Sequence, residues 1–256
     1  MAILEVRALS KIYEGKIATK ALDGVSFKIE AGEFVGIMGP SGSGKTTLLN
    51  VIATIDEPTS GEVILNGQDP HRMAKEQTAL FRRRELGFIF QHFNLLDTLT
   101  AEENIVLPLT LDGVPVPEMK ARAWEMARRL GIEEILPKHT YEMSGGQMQR
   151  TAIARAMIHE PSLILADEPT GNLDSKSSRG VMEAFAAMNE SYRATVMMVT
   201  HDALAASYCH RVIFIKDGKL YNEMYRGNNR QAFFQKIIDM MSLLGGDSHD
   251  LSSIRL

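Results

Sequence analysis

The sequence Gly39-Pro40-Ser41-Gly42-Ser43-Gly44-Lys45-Thr46-Thr47 fits the pattern G-x-x-x-x-G-K-[ST] of a phosphate-binding loop. Its glycines permit backbone conformations that turn successive N–H groups inward, and a helix beginning near Lys45 adds its positive dipole end. Lys45 is then placed to reach the β- and γ-phosphates of a nucleotide, and the Thr46 hydroxyl is placed to bind Mg²⁺. A glycine turn that fits by chance is disfavoured, because the loop follows the apolar run 34–38, which predicts a buried strand.

Strand and helix patterns alternate on both sides of this loop. Apolar and polar residues alternate at 2–9 and 25–30, which predicts half-buried strands. The stretch of roughly 92–160 carries helical patterns without a clear strand, so we interpret it as a helical insertion. Alternating strands and helices are typical of a mostly parallel α/β sheet. Further strands are predicted at 62–65, 86–90, 162–166, 195–199 and 211–215, and helices at 45–55, 76–84, 100–108, 115–131, 145–160, 175–190 and 202–208.

The composition is that of an ordinary globular chain of 256 residues, with 45% apolar and 23% charged residues. A net charge of −4 gives no global electrostatic support for a nucleic-acid partner, so none is expected. The one cysteine, Cys209, excludes an intramolecular disulfide and a cysteine-based metal site. The sequence has no run of 18 apolar residues and no basic leader at its N-terminus. We therefore expect a cytoplasmic chain that does not span a membrane on its own.

Two adjacent carboxylates follow the apolar run 163–166, which predicts another buried strand. A strand that ends in an acid beside a phosphate-binding loop aims that acid at the metal. Asp167 is therefore the predicted Mg²⁺ residue, acting through a coordinated water. Glu168, one residue further on, is placed to orient or deprotonate the attacking water. Without the loop at 39–47, a solvated strand end would be the simpler interpretation of this pair.

The segment 141–175 reads YEMSGGQMQRTAIARAMIHEPSLILADEPTGNLDS. It places Ser144-Gly145-Gly146-Gln147 before Asp167 and Asn172-Leu173-Asp174 after it. This order of motifs resembles the ATPases of ATP-binding cassette (ABC) transporters, whose signature is L-S-G-G-Q. Met143 replaces the signature leucine, a conservative apolar exchange, and Asn172 stands where a small residue often lies. The resemblance covers the residues up to about 225.

This resemblance implies an α/β fold with a P-loop NTPase (RecA-like) core and a mostly parallel sheet. An N-terminal antiparallel β subdomain and an inserted α-helical subdomain complete it. Residues 1–91 and 160–225 would form the core with the β subdomain, 92–159 the helical subdomain, and 226–256 a C-terminal helical extension. The extension carries an apolar stripe that either packs on its own core or contacts a partner. The stripe comprises Phe233, Phe234, Ile237, Ile238, Met241 and Leu244.

The resemblance also implies a role for each matching residue. Tyr13 would stack on adenine, although a strand-end tyrosine without a ligand is the alternative. His201, in V-T-H-D after an apolar run, would hold the γ-phosphate, and Asp174 would contact the opposite subunit. The implied catalytic residues are Glu168, His201 and Lys45; the nucleotide-binding residues are Tyr13, 39–47, Gln91, Ser144, Gly145, Gly146, Gln147 and Asp174; the Mg²⁺ residues are Thr46, Gln91 and Asp167.

The sequence holds one phosphate-binding loop and one S-G-G-Q. In the family, the signature of one cassette completes the nucleotide site of another. The resemblance therefore implies a head-to-tail homodimer that forms in the ATP-bound state and drives a membrane permease. The location implied is peripheral, on the inner face of the cell membrane. Permease contact is expected in 88–103, at Phe93, Leu95, Leu96 and Asp97, unless these residues pack inside the helical insertion.

Finer similarities narrow the group. L-G-F-I-F-Q-H-F-N-L-L-D-T-L-T-A-E-E-N-I at 86–105 resembles the ATPases of macrolide-export, lipoprotein-release and cell-division permeases. L-L-N-V-I-A-T-I-D at 48–56 and the tail at 230–235 look most like bacitracin and lantibiotic resistance ATPases of Gram-positive bacteria. That resemblance implies defence against antimicrobial peptides, often coupled to a sensor kinase. The alternative is a mechanical or signalling complex whose permease-like partner transports nothing.

Two other classes of ABC protein fit the sequence less well. Ribosome-acting members usually carry two cassettes in one chain. DNA-repair and chromosome ATPases separate the loop from the signature by long coiled coils, whereas Lys45 and Ser144 here lie 99 positions apart.

Overall fold

A computed structural model describes residues 1–15 and 18–245, and these form nine strands, eight α-helices and three short 3-10 helices. The proposed helical extension ends at 256, so its last residues, 246–256, lie outside the described part. The strands are β1 (Ala2–Tyr13), β2 (Thr19–Glu30), β3 (Phe34–Met38), β4 (Ser60–Leu65), β5 (Leu86–Phe90), β6 (Leu163–Asp167), β7 (Val196–Val199), β8 (Arg211–Lys216) and β9 (Lys219–Tyr225). The helices are α1 (Lys45–Ile52), α2 (Lys75–Glu85), α3 (Ala101–Leu111), α4 (Val116–Leu130), α5 (Gly145–Met157), α6 (Ser175–Tyr192), α7 (Ala203–Ala206) and α8 (Arg230–Gly245).

The larger sheet positions the predicted site. Its strand order is β5-β6-β7-β3-β8-β9, with parallel pairing throughout except between β8 and β9. Ile37 and Asp167 both pair with Val199, so β3, β6 and β7 end at the same edge. The phosphate-binding loop, Glu168 and His201 follow these three strand ends. The mostly parallel α/β fold is confirmed. Its predicted functional residues lie at the carboxyl ends of the strands, where open α/β sheets bind their ligands.

The smaller sheet is antiparallel, in the order β2-β1-β4. Its first two strands have 12 residues each, longer than the predicted 2–9 and 25–30. Register shifts interrupt the β1–β2 ladder, and Ala8 has a φ of 44°. These irregularities interrupt the alternation of apolar and polar residues. Strands predicted from that alternation are therefore too short.

Apolar side chains fill both sides of the larger sheet. On one side Val35 and Ile37 join a cluster with Leu4 of the smaller sheet and Leu49 of α1. On the other side Phe34 packs against Phe185 of α6 with ring centroids 5.2 Å apart, alongside the helices that follow β5 and β6. The two clusters hold the sheet edge rigidly, which fixes the loops that leave it.

The helical stretch between β5 and β6 contains α3, α4 and α5. Thr100 and Glu103 form a capping box at the start of α3. The helix continues through Pro108 to Leu111, although the sequence predicted its end at the proline. Ile105 and Leu109 are buried on either side of Pro108, and this packing offsets the lost backbone hydrogen bond.

One strand lies beyond the strand predictions, and one helix belongs to the predicted C-terminal extension. Strand β9 was not predicted from its mixed sequence, although the Asp-Gly pair before it is a strong hairpin signal. Helix α8 buries Phe233, Ile237 and Leu244 against the core of this chain. None of the helices in 1–15 and 18–245 is long and apolar enough to cross a bilayer.

Candidate active site

The phosphate-binding loop is fixed between a strand of the larger sheet and a strand of the smaller sheet. Gly39 has a φ of 153° and Gly44 a φ of 100°, both in the region that favours glycine. A Cβ at Gly39 would collide with the carbonyl oxygen of Ile215 in β8, and one at Gly44 with that of Ala21 in β2. Only glycine allows the loop to approach both backbones this closely.

The loop presents donors to an anion. Helix α1 starts after Gly44 without any side-chain cap, so its first N–H groups face the loop's interior. The Lys45 ammonium donates to the carbonyl oxygens of Gly39 and Pro40 at 2.9 and 2.8 Å. Ser43 Oγ is buried and has no hydrogen-bond partner in the described part of the chain. A buried, unpaired hydroxyl beside free amides suits a phosphate oxygen.

An open pocket of about 420 Å³ adjoins this loop. Burial lowers the pKa of Lys45, and the nearby carboxylates Glu168 and Asp167 oppose that shift without cancelling it. No prediction was made for the pocket residues outside the loop, which lie at the start of β2 and in the Asp-Gly turn after β8. The lining residues are Thr19, Lys20, Ala21, 42–47, Asp217 and Gly218.

Asp167 and Glu168 lie at the end of β6, as predicted. Burial raises the pKa of Asp167, as does the adjacent Glu168, while Lys45 acts in the opposite direction. Glu168 has a φ of 45°, a strained conformation for a non-glycine residue. Strain of this kind is typical of functional positions, where it directs a side chain. Here the Glu168 carboxylate accepts a hydrogen bond from the ring of His201, 2.9 Å from Nδ1.

Since this hydrogen bond raises the pKa of His201, the imidazole is expected to hold its proton to a higher pH than an ordinary histidine. Glu168→Gln removes the negative charge and should bring the pKa of His201 down towards that of an ordinary histidine. Titration of the imidazole signals by NMR in the nucleotide-free protein measures this. His210 is the internal control, because burial lowers its pKa independently of Glu168. An unchanged pKa at His201 in the variant would show that the contact is absent in solution.

Gln91 lies one residue after β5 and next in line to the end of β6, since Phe90 pairs with Asp167. Its side-chain amide donates to Asn172 Oδ1 at 3.2 Å, and Asn172 Nδ2 donates to the Gln91 carbonyl at 3.1 Å. Asn172 Nδ2 also lies 2.9 Å from His92 Nδ1. No role was predicted for Asn172. In the structure its side chain connects the segment after β5 with the segment after β6.

The signature residues start helix α5. Ser144 and Gln147 form a capping box, with Ser144 N–H donating to Gln147 Oε1 at 2.9 Å. Gly145 lies against Leu173, since a Cβ there would be 3.0 Å from its side chain. Among the described residues, those that line the pocket include none from 144–147. The chain therefore carries a second helix N-terminus outside its own pocket, suited to an anion.

Asp174 caps α6, accepting hydrogen bonds from the backbone N–H groups of Lys176 and Ser177 at 3.0 Å each. The Ser177 hydroxyl also donates to this carboxylate and lowers the pKa of Asp174. The carboxyl is exposed. In this chain alone, Asp174 thus stabilises a helix start.

Tyr13 ends β1 and pairs with Thr19, which lines the pocket. Its residue surface is 41% exposed, and its hydroxyl donates to Asp56 Oδ2 at 2.8 Å. Asp56 ends the quoted stretch 48–56, but no role was predicted for it, since its partner Tyr13 lies 43 positions away.

Comparison with known proteins identifies the family. A family model described as ABC transporter matches residues 22–171, more than half of the chain. The ABC transporter ATP-binding protein YxdL of Bacillus subtilis (strain 168) is 58% identical over 254 residues, covering 99% of both chains. The bacitracin export ATP-binding protein BceA of Halalkalibacterium halodurans is 50% identical over 252 residues, covering 98% of this chain and all of that protein.

A similar solved structure contains bound nucleotide. The dimeric post-hydrolysis state of the ATP-binding cassette MJ0796, bound to ADP and Pi, superposes with a TM-score of 0.79. It is 39% identical to this chain and covers 88% of it and all of the other chain. The family model, the near full-length relatives and the superposition agree with the motifs quoted from the sequence. The chain belongs to the ABC transporter family, as an ATP-binding and ATP-hydrolysing subunit.

Proposed function

We propose that this ATPase powers a membrane permease that protects the cell against antimicrobial peptides of the bacitracin and lantibiotic type. The observation that carries the proposal is the 50% identity to a bacitracin export ATP-binding protein over 98% of this chain. The match extends over almost the whole chain and so includes residues outside the nucleotide site. The proposal places the chain at the inner face of the cell membrane, held there by its partner.

At the nucleotide site, we assign the phosphates to the loop 39–47 and the adenine to Tyr13. Lys45 would exchange its two carbonyl contacts for the β- and γ-phosphates. Glu168 would orient the attacking water and accept its proton, and His201 would hold the γ-phosphate. Their mutual contact at the sheet edge supports this division of labour, because it places a base and a donor side by side.

The oxygen donors of the site fit Mg²⁺. No cluster of three or more His, Cys, Asp or Glu side chains suited to a metal occurs in the described ranges. Mg²⁺ commonly binds through one or two protein oxygens together with substrate phosphates. Thr46 and Gln91 would supply those oxygens, and Asp167 would act through a coordinated water. When bound, the ion would neutralise charge on the transferred phosphoryl group.

We infer that the functional unit is a homodimer arranged head to tail. The signature lies outside the pocket of its own chain, and the superposed cassette is a dimer. Residues 144–147 would face the γ-phosphate bound by the second copy, and Asp174 would lie at the same interface. Within each copy we keep the division into a core of 1–91 and 160–225, a helical subdomain of 92–159 and an extension of 226–256.

The permease would dock beside the segment after β5. Leu96 is 47% exposed there, while Thr140 donates to Asp97 at 2.7 Å and ties the segment to the helices. A helix from a partner subunit would cover this leucine. A sensor kinase would join the complex through the permease.

Affinity purification of the tagged chain from membranes tests this function. A permease with a large extracellular domain should co-purify, and cells lacking the gene should become sensitive to bacitracin or lantibiotics. Complementation should succeed with the parent gene and fail with Glu168→Gln, which serves as the matched inactive control. Recovery of a permease without any change in peptide tolerance would favour the mechanical or signalling complex. Recovery of ribosomes or DNA instead would contradict the proposal.

A further inference from the structure

The carboxylate of Asp56 holds the side chain of Tyr13, whose strand partner Thr19 lines the nucleotide pocket. The Tyr13 hydroxyl donates to Oδ2 at 2.8 Å. Lys11 donates to Oδ1 at 2.6 Å, and its ammonium lies 4.9 Å from the centre of the Tyr13 ring. The Glu57 N–H also donates to Oδ1, at 2.8 Å. Both carboxylate oxygens are therefore engaged, and one of them is reserved for the tyrosine.

Hydrogen bonds to backbone groups fix Asp56 relative to the strand end. Thr59 Oγ1 accepts from the N–H of Ile12 at 2.9 Å, and Thr59 N–H donates to the Ser10 carbonyl at 2.9 Å. Asp56 N–H donates to Asn50 in α1 at 3.2 Å. Since α1 begins at Lys45, one short helix carries the phosphate-binding loop at its start and Asp56 just beyond its end.

The charge on Asp56 is stabilised where it lies. Burial acts to raise its pKa, but hydrogen bonds from Lys11, Tyr13 and the Glu57 amide outweigh burial and hold that pKa below its usual value. An ionised acceptor makes a stronger hydrogen bond to the phenol than a neutral one does. The ring is thus held by a charge-assisted contact although its surface remains 41% exposed.

We propose that Asp56 is a positioning residue for nucleotide binding, which fixes the Tyr13 ring in the orientation that receives the adenine base. The inference rests on the proposed stacking role of Tyr13. An exposed tyrosine that is free to change rotamer must lose that freedom when a base stacks on it. Asp56 removes this cost in advance, so it should affect the base and leave the phosphates untouched.

Binding of ATP and of inorganic tripolyphosphate, measured by calorimetry, separates these two effects. Tyr13→Ala should weaken ATP about tenfold, the scale of one aromatic–base stack. Asp56→Ala and Tyr13→Phe should each weaken ATP about threefold, the scale of a modest net hydrogen bond. The double variant Asp56→Ala/Tyr13→Phe should bind ATP with the same affinity as the weaker-binding of its two single variants, because both changes remove the same contact. Tripolyphosphate should bind all four proteins as it binds the parent.

Asp69→Ala is the matched control. Asp69 is a partly buried carboxylate that accepts from the His71 N–H at 3.0 Å and pairs with Arg72, without touching Tyr13. It should leave ATP binding unchanged.

Equally weakened binding of ATP and of tripolyphosphate in Asp56→Ala would show a merely structural role and overturn the inference. Unchanged ATP binding in Tyr13→Phe would also overturn it. Unchanged ATP binding in Tyr13→Ala would instead overturn the stacking role itself. Because Tyr13→Phe removes one oxygen atom, it tests the contact even if Asp56→Ala folds poorly.

Discussion

Glu168→Gln is expected to reduce ATP hydrolysis by about 100-fold or more, the scale of a lost general base, while ATP still binds. Glutamine keeps the size and one acceptor oxygen of the side chain but cannot take a proton at neutral pH. The bound triphosphate then persists between two chains, so the variant should accumulate as a dimer when ATP and Mg²⁺ are present. Phosphate release measures turnover, and light scattering with and without ATP measures the dimer.

The control for this result is Glu183→Gln, which makes the same exchange at an exposed position of α6. It should hydrolyse ATP at the parent rate and dimerise only transiently. Turnover at the parent rate in Glu168→Gln would contradict the role of Glu168 as the base. Loss of ATP binding in that variant would instead mean that the contact with His201 is needed to hold the site together.

The fold could be predicted from the sequence wherever a strand is buried on both faces. The apolar runs at 34–38 and 86–90 match β3 and β5 to the residue, because such strands need apolar side chains at every position. Prediction failed where tertiary contacts override local pattern. Bulges extend β1 and β2 past their alternation, and packing carries α3 through Pro108. Strand β9 is a half-exposed edge strand, so its apolar signal is weak.

The residues of the candidate site also fall into those that the sequence predicted and those that it did not. Motifs carried within one loop or one strand end were found, because their spacing along the chain is fixed by local geometry. Asn172 and Asp56 were not, because their partners Gln91 and Tyr13 lie 81 and 43 positions away. A side-chain contact across such a separation has no periodic trace in a single sequence. Only the ordering of β5 beside β6, and of β1 beside the segment after α1, brings these groups together.

Mixing two inactive variants is expected to restore ATP hydrolysis, since each site is proposed to use the loop of one chain and the signature of the other. Gly146→Asp places a carboxylate in the first turn of α5. Its negative charge interacts favourably with the helix dipole but repels a phosphate. A Cβ there meets Ser177 at an ordinary 3.5 Å, so the fold should accept it. Lys45→Ala removes the ammonium that reaches the phosphates.

Each variant alone should hydrolyse ATP at about 1% of the parent rate or less, as expected when a group that stabilises the transition state is lost. In an equal mixture, half of the dimers contain both variants, and each of these has one complete site out of two. The mixture should therefore recover about one quarter of the parent rate, a consequence of head-to-tail symmetry. Gly146→Ala is the control, since it adds the Cβ without the charge and should stay active. If the mixture stays as inactive as its components, a nucleotide site shared between two chains is contradicted. If Gly146→Asp alone keeps the parent rate, the signature does not face the phosphate at all.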